Sequence, residues 1–150
     1  MTDRELMQAA IALAREAAAD GEVPVGAVVA KDGEIVSVGR NRREKDKNAL
    51  AHAEIEAIGK ACRALGGWRL WQCELFVTLE PCPMCAGAII NSRIKRVVFG
   101  AYDPKAGSCG SINNLFDFPY NHSPEIEGGF MQDECAILLK RFFSDLRKTK

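Results

Sequence analysis

Apolar positions recur along the chain with two different periods. In DRELMQAAIALAREAAA (residues 3–19), Leu6, Ala10, Leu13, Ala14 and Ala17 share one stripe that stops at Gly21, which predicts an amphipathic helix ended by glycine. VPVGAVVA (23–30) and EIVSVG (34–39) are strand-like and are separated by Asp32-Gly33, a hairpin signal. RNRREKDKNAL (40–50) has no apolar period and reads as a loop, and AHAEIEAIGKACRAL (51–65) reads as a helix running into Gly66-Gly67. ELFVTL (74–79) has the character of a buried strand, CAGAIINS (85–92) of a short helix, RVVFGA (96–101) of another strand and AILLKRFFSDL (136–146) of a closing helix. Residues 102–131 are rich in Gly, Asn and Pro and predict loops with little regular structure.

A hairpin followed by strand, helix and strand predicts a mixed sheet covered by helices on both faces. In such sheets function sits at the carboxyl ends of the strands. With 150 residues and 47% hydrophobic content, the chain has the size of one domain, 1–150, able to bury a core without disulfides. Twenty Lys and Arg cancel twenty Asp and Glu, so no overall field draws the protein to a polyanion and any nucleic acid would meet a local basic patch. The acidic start MTDRELMQAA is unlike a signal peptide, and no apolar run is long enough for a membrane span. The expectation is a cytoplasmic protein without a membrane partner. Its six cysteines then stay reduced, which favours metal binding or buried thiols over disulfides.

LEPCPMC (79–85) stands where a strand hands over to a helix. Prolines at a helix start give up only N–H groups that have no intrahelical partner. Cys82 and Cys85, one turn apart, can converge on one point, and the helix N-terminus favours their thiolate forms. A redox pair would sit in the same kind of place. The discriminating stretch is AHAEIEA, which supplies His52 and Glu54 at the start of another predicted helix. A single histidine there would ordinarily be a surface or capping residue. Together with P-C-x-x-C it becomes the third donor of a zinc site, one ligand short of a structural site and suited to a catalytic one with water in the fourth position. Glu54 could be a first-turn carboxylate favouring the helix dipole. Facing the metal, it could take a proton from water and deliver it to a ring nitrogen and a departing amine. H-x-E followed by P-C-x-x-C is the signature of zinc nucleobase deaminases.

EVPVGAVV, GRN, AHAEIEAI, LFVTLEPCPMCAGAIINSRIKRVVFGA and DECAILLKRFF together resemble the bacterial tRNA-specific adenosine deaminases over nearly the whole chain. The resemblance implies a cytidine-deaminase-like three-layer α/β/α fold with a central mixed five-stranded sheet. It implies a homodimer that converts adenosine to inosine at the wobble position of a tRNA anticodon stem-loop. One Zn2+ per chain would be held by His52, Cys82 and Cys85, with Glu54 as proton shuttle. Asn41 would hydrogen-bond the flipped base, Val25 and Leu79 would wall its pocket, and Asn121 in NHSPEI (121–126) would touch the nucleotide, with His122 a surface residue. A deaminase of free guanine or cytosine shares the zinc chemistry. A non-catalytic zinc module would need a fourth ligand such as Cys73 and would have no use for Glu54.

Other conspicuous residues have plainer expected roles. Cys62, Cys73 and Cys135 are expected to be buried thiols, and Cys109, in a predicted glycine-flanked loop, to be exposed. Phe142-Phe143 is expected in core packing. The basic run RNRREKDK, with Arg42 and Arg43, could contact phosphates, as could Lys95, Arg96 and the tail LRKTK.

Overall fold

The computed structural model describes residues 1–149, so the last residue of the basic tail, Lys150, lies outside the described residues. The chain runs α1 (Asp3–Ala19), β1 (Gly26–Lys31), β2 (Glu34–Arg40), α2 (Ala53–Leu65), β3 (Cys73–Leu79), α3 (Pro83–Ser92), β4 (Arg96–Ala101), a 3-10 turn (Leu115–Asp117), β5 (Glu125–Glu127) and α4 (Gln132–Lys148). The strands form one mixed sheet in the order β2-β1-β3-β4-β5. β1 is antiparallel to β2 and β3, while β3, β4 and β5 are mutually parallel. The expected α/β arrangement with a central mixed five-stranded sheet is therefore the one observed.

Strand alternation sorts the core into two layers. Ala27, Val29, Leu75, Val77, Val97 and Phe99 face α2 and α3, while Val28, Ala30, Phe76 and Val98 face α1 and α4. Successive residues of a strand point to opposite faces, so one run such as LFV feeds both layers. At the β1–β2 turn, Asp32 and Gly33 both take positive φ (52° and 76°), as a tight hairpin of primed type requires. α1 opens on a reciprocal capping box between Thr2 and Glu5. α2 stops at Gly66 in the left-handed conformation.

Three expectations change. Part of the stretch expected to lack regular structure forms β5, which pairs Arg96 with Glu125 and Val97 with Ile126; a three-residue edge strand is too short to show a period of its own. Cys109 is buried rather than exposed, because its segment folds against the end of β3. The Phe142-Phe143 pair is stacked edge to face, yet Phe143 is exposed and Cys135 is the buried residue of α4. Among the described residues no helix is long and apolar enough to cross a membrane.

The packing that positions the functional end of the sheet is the contact of β2 with α2. A Cβ at Gly39 would lie 2.2 Å from the Ala53 carbonyl oxygen and 2.8 Å from the Ala57 nitrogen, so the first turn of α2 rests directly on the strand backbone. Gly39→Ala must push that turn away. Urea unfolding should show a loss of about 3 kcal/mol, the upper end of ordinary overpacking, and unchanged stability would mean that α2 does not sit on this strand.

Candidate metal centre and active site

Two helices begin beside the carboxyl end of β3. His52 is the N-cap residue of α2 and Cys82 that of α3, both with extended backbone and neither side chain making a capping bond. Pro81 and Pro83 hold the chain in that extended entry, with Pro83 in the first turn. The two uncommitted side chains turn toward each other. His52 Nδ1 lies 3.7 Å from Cys82 Sγ and 3.6 Å from Cys85 Sγ, and one donor atom from each of the three residues falls within 4.8 Å of the others. Cys85, in the first turn of α3, is fully buried.

Electrostatics prepare this group for a cation. The Cys85 thiol donates to Cys82, burial opposes the charge, and His52 favours it, leaving the Cys82 thiol lowered to about 4. The Cys85 thiol is shifted up, chiefly because it hydrogen-bonds that neighbouring thiolate and is buried. The Cys82 contact likewise raises His52. A thiolate, a thiol and an imidazole crowded at two helix mouths form a soft donor set of the kind that takes a metal ion. Cys73 is not part of it. It opens β3 while Leu79 closes it, which separates the two ends by about 20 Å at the usual strand rise.

Glu54 sits two residues into α2, 4% exposed. Burial, the largest influence, raises its carboxyl to about 7, and the Cys82 thiolate adds to the rise. A carboxyl poised there can accept and return a proton near neutral pH.

His52, Glu54 and Cys82 line one cavity of about 190 Å³ together with Val23, Val25, Asn41, Arg43, Leu79, Glu80, Asp103 and Ala106. Val25, Leu79 and Asn41 thus line the same cavity as the metal-donor residues His52 and Cys82. Asn41 is already braced, since its Nδ2 donates to Val23 O at 3.3 Å and its Oδ1 accepts from Arg43 N at 3.1 Å. One amide hydrogen and one lone pair remain for a ligand. Asn121 is not brought here. His122 Nε2 donates to Ile94 O and Glu125 N to Lys95 O, which fixes this segment at the amino end of β4, while the cavity lies at the carboxyl end of β3.

The basic groups divide in a way the run of letters does not show. Arg42 pairs with Glu56 at 3.0 Å and Arg40 with Asp20 at 2.8 Å. Arg96 is bound by Asp3, Glu74 and Glu127. Arg43 is exposed at the cavity mouth and has no ion-pair partner among the described residues.

Glu80 stands inside LEPCPMC, yet nothing in the local sequence marks it as a functional residue. It is 2% exposed and accepts from Asp103 N at 2.9 Å, Cys109 N and Ser111 N at 3.0 Å each, and Ser111 Oγ. Burial alone would raise its carboxyl, but these bonds prevail and lower it. The loop wraps so closely that a Cβ at Gly107 would meet the carboxylate carbon at 2.2 Å. Glu80 thereby fixes Asp103 and Ala106 as one wall of the cavity.

Over residues 1–147 the chain matches the family model described as MafB19-like deaminase. It is 49% identical over 152 residues to a tRNA-specific adenosine deaminase of Bacillus subtilis (strain 168), covering 100% of this chain and 94% of that one. A solved structure from studies of A-to-I editing by tRNA:A34 deaminases at the wobble position of transfer RNA is similar with a TM-score of 0.88 at 42% identity, covering 91% of this chain and 99% of that one. Guanine deaminase from Nitrosomonas europaea is more distant, with a TM-score of 0.80 at 25% identity over 91% of this chain and 82% of that one.

Elemental analysis of the purified protein should find a bound divalent metal that Cys85→Ala loses. Because the ion would tie two helix mouths to a strand end, the variant should also melt at a lower temperature. A full metal complement in Cys85→Ala would remove this cysteine from the centre.

Proposed function

The chain belongs to the MafB19-like deaminases and, among them, to the tRNA-specific adenosine deaminases, and we infer that it hydrolyses adenosine to inosine at the wobble position of a tRNA anticodon loop. The observation that carries the chemistry is the placement of a buried Glu54 carboxyl in the same small cavity as His52 and Cys82. A cavity of about 190 Å³ is small beside the roughly 300–1,000 Å³ of ordinary ligand sites, which suits a single heterocyclic base.

The proposed metal is zinc, one per chain. Tetrahedral zinc with bonds of about 2.3 Å to sulfur and 2.05 Å to nitrogen places those donors about 3.6 Å apart, and the two sulfurs stand 3.7 and 3.6 Å from His52 Nδ1. When bound, zinc supplies the Lewis acidity that makes water a nucleophile near neutral pH. Glu54 accepts one proton from the attacking water and passes it to the ring nitrogen of adenine, then carries the second proton, from the hydroxyl added to the base, to the departing amine, so that adenosine and water become inosine and ammonia. Asn41 offers the base its remaining donor and acceptor. Val25 and Leu79 close on its faces, and together with Ala106 keep bulk water away.

An anticodon loop presents its base unpaired, so little energy goes into extruding it. Arg43 is the cation placed to hold a neighbouring phosphate. The working form is proposed to be a homodimer of single-domain chains, 1–150, acting in the cytoplasm.

The test is to incubate the purified protein with an anticodon stem-loop RNA, free adenosine, guanine and cytosine. Inosine should form in the RNA with far higher kcat/KM than from free adenosine, which lacks the phosphates that position it. Release of ammonia from guanine at a comparable kcat/KM would replace the RNA substrate with a free base. Glu54→Ala should keep its metal and fold and lose about 10²–10⁴-fold in rate; loss of the metal instead would make Glu54 a ligand.

A further inference from the structure

The turn between α1 and β1 holds a buried carboxylate that the deamination chemistry does not use. Glu22 is 2% exposed and accepts the backbone N–H groups of Glu44 at 3.0 Å and Lys45 at 2.7 Å. A carboxylate this deep persists where hydrogen bonds replace its water. Here the donors belong to a segment whose own side chains are exposed. Asp20, in the same turn, adds ion pairs to Arg40 and Lys45 at 2.8 and 3.8 Å. The segment also closes on itself, with Asp46 N donating to Arg42 O at 2.8 Å and Asn48 N to Arg43 O at 3.1 Å.

Arg43 stands at the centre of these restraints. Its own N–H is taken by Asn41 Oδ1 at 3.1 Å, and the next two amides are taken by Glu22. Its backbone is thus fixed on both sides while its guanidinium stands at the cavity mouth with no ion-pair partner among the described residues. A cation on a fixed backbone loses less freedom on meeting a phosphate than one on a loose loop.

We propose that Glu22 is a positioning residue for RNA: its carboxylate clamps the loop around residues 42–47 so that Arg43 meets the phosphate beside the base being deaminated, and it acts on RNA binding only through Arg43. This rests on the RNA activity proposed above. Glu22 is neither among the residues lining the cavity nor among the metal donors, so its effect falls on KM and on salt dependence.

The test is a double-mutant cycle on the metal-loaded enzyme with Glu22→Gln, Arg43→Ala and both together, measuring kcat and KM for an anticodon stem-loop RNA across a range of salt. Each single variant should keep its metal and its kcat, raise KM roughly tenfold and flatten the salt slope of kcat/KM by about one, as for one lost phosphate contact. The double variant should be no worse than Arg43→Ala, because the two residues act as one unit. Multiplying KM effects, or a fall in kcat with KM unchanged, would overturn the clamp while leaving the RNA activity standing. A wild type indifferent to RNA would overturn both. Should Glu22→Gln fail to fold, Glu22→Asp keeps the charge, shortens its reach and must show the same dependence on Arg43.

Discussion

Two helices start so close together that the side chains of their N-cap residues, His52 and Cys82, stand 3.7 Å apart, and the functional end of the molecule is organised around that meeting. α2 reaches the point because Gly39 lets its first turn lie against β2. α3 reaches it because β3 ends at Leu79 and the chain turns through Glu80 and Pro81 directly into the helix. Neither N-cap side chain serves its own helix, so both are free for a shared ion. The parallel pairing of β3 with β4 then lays the segment after β4 across the same end of the sheet, where it becomes a wall of the cavity.

Three buried glutamates surround this end, and their neighbours give them different work. Glu80 is enclosed by three backbone amides and a hydroxyl, so its charge is satisfied and it serves as an anchor for a loop. Glu22 has two amide donors and anchors the loop on the opposite side. Glu54 is buried without such enclosure beside a thiolate, and its carboxyl rises to about 7. At Glu80 burial combined with hydrogen bonding makes a fixed charge, whereas at Glu54 burial beside another negative group makes a proton carrier.

The parts legible in the sequence are those set by local spacing. The two helix mouths and the strand end that matter are marked by His52 and Glu54 before Ala57 and Ile58 and by the prolines around Cys82, and the turns by glycines. The parts that were not legible depend on partners far along the chain. Glu80 reads as an ordinary residue until Asp103, Cys109 and Ser111 are seen around it, and Glu22 until Glu44 and Lys45 are. Arg42 and Arg43 are equivalent as letters, yet Glu56 neutralises only the first. The position of Asn121 is likewise set at a distance, because β5 pairs with the start of β4 and carries that segment to the end of the sheet away from the cavity.

The central claim is that His52, Cys82 and Cys85 would hold a zinc ion with one position left for chemistry, and zinc K-edge X-ray absorption on the purified protein tests it most directly. The spectrum should fit two sulfurs at about 2.3 Å, one imidazole nitrogen at about 2.0 Å and one further light-atom neighbour. A shell of three or four sulfurs, or two imidazoles with two sulfurs, would show a closed structural site and contradict the account.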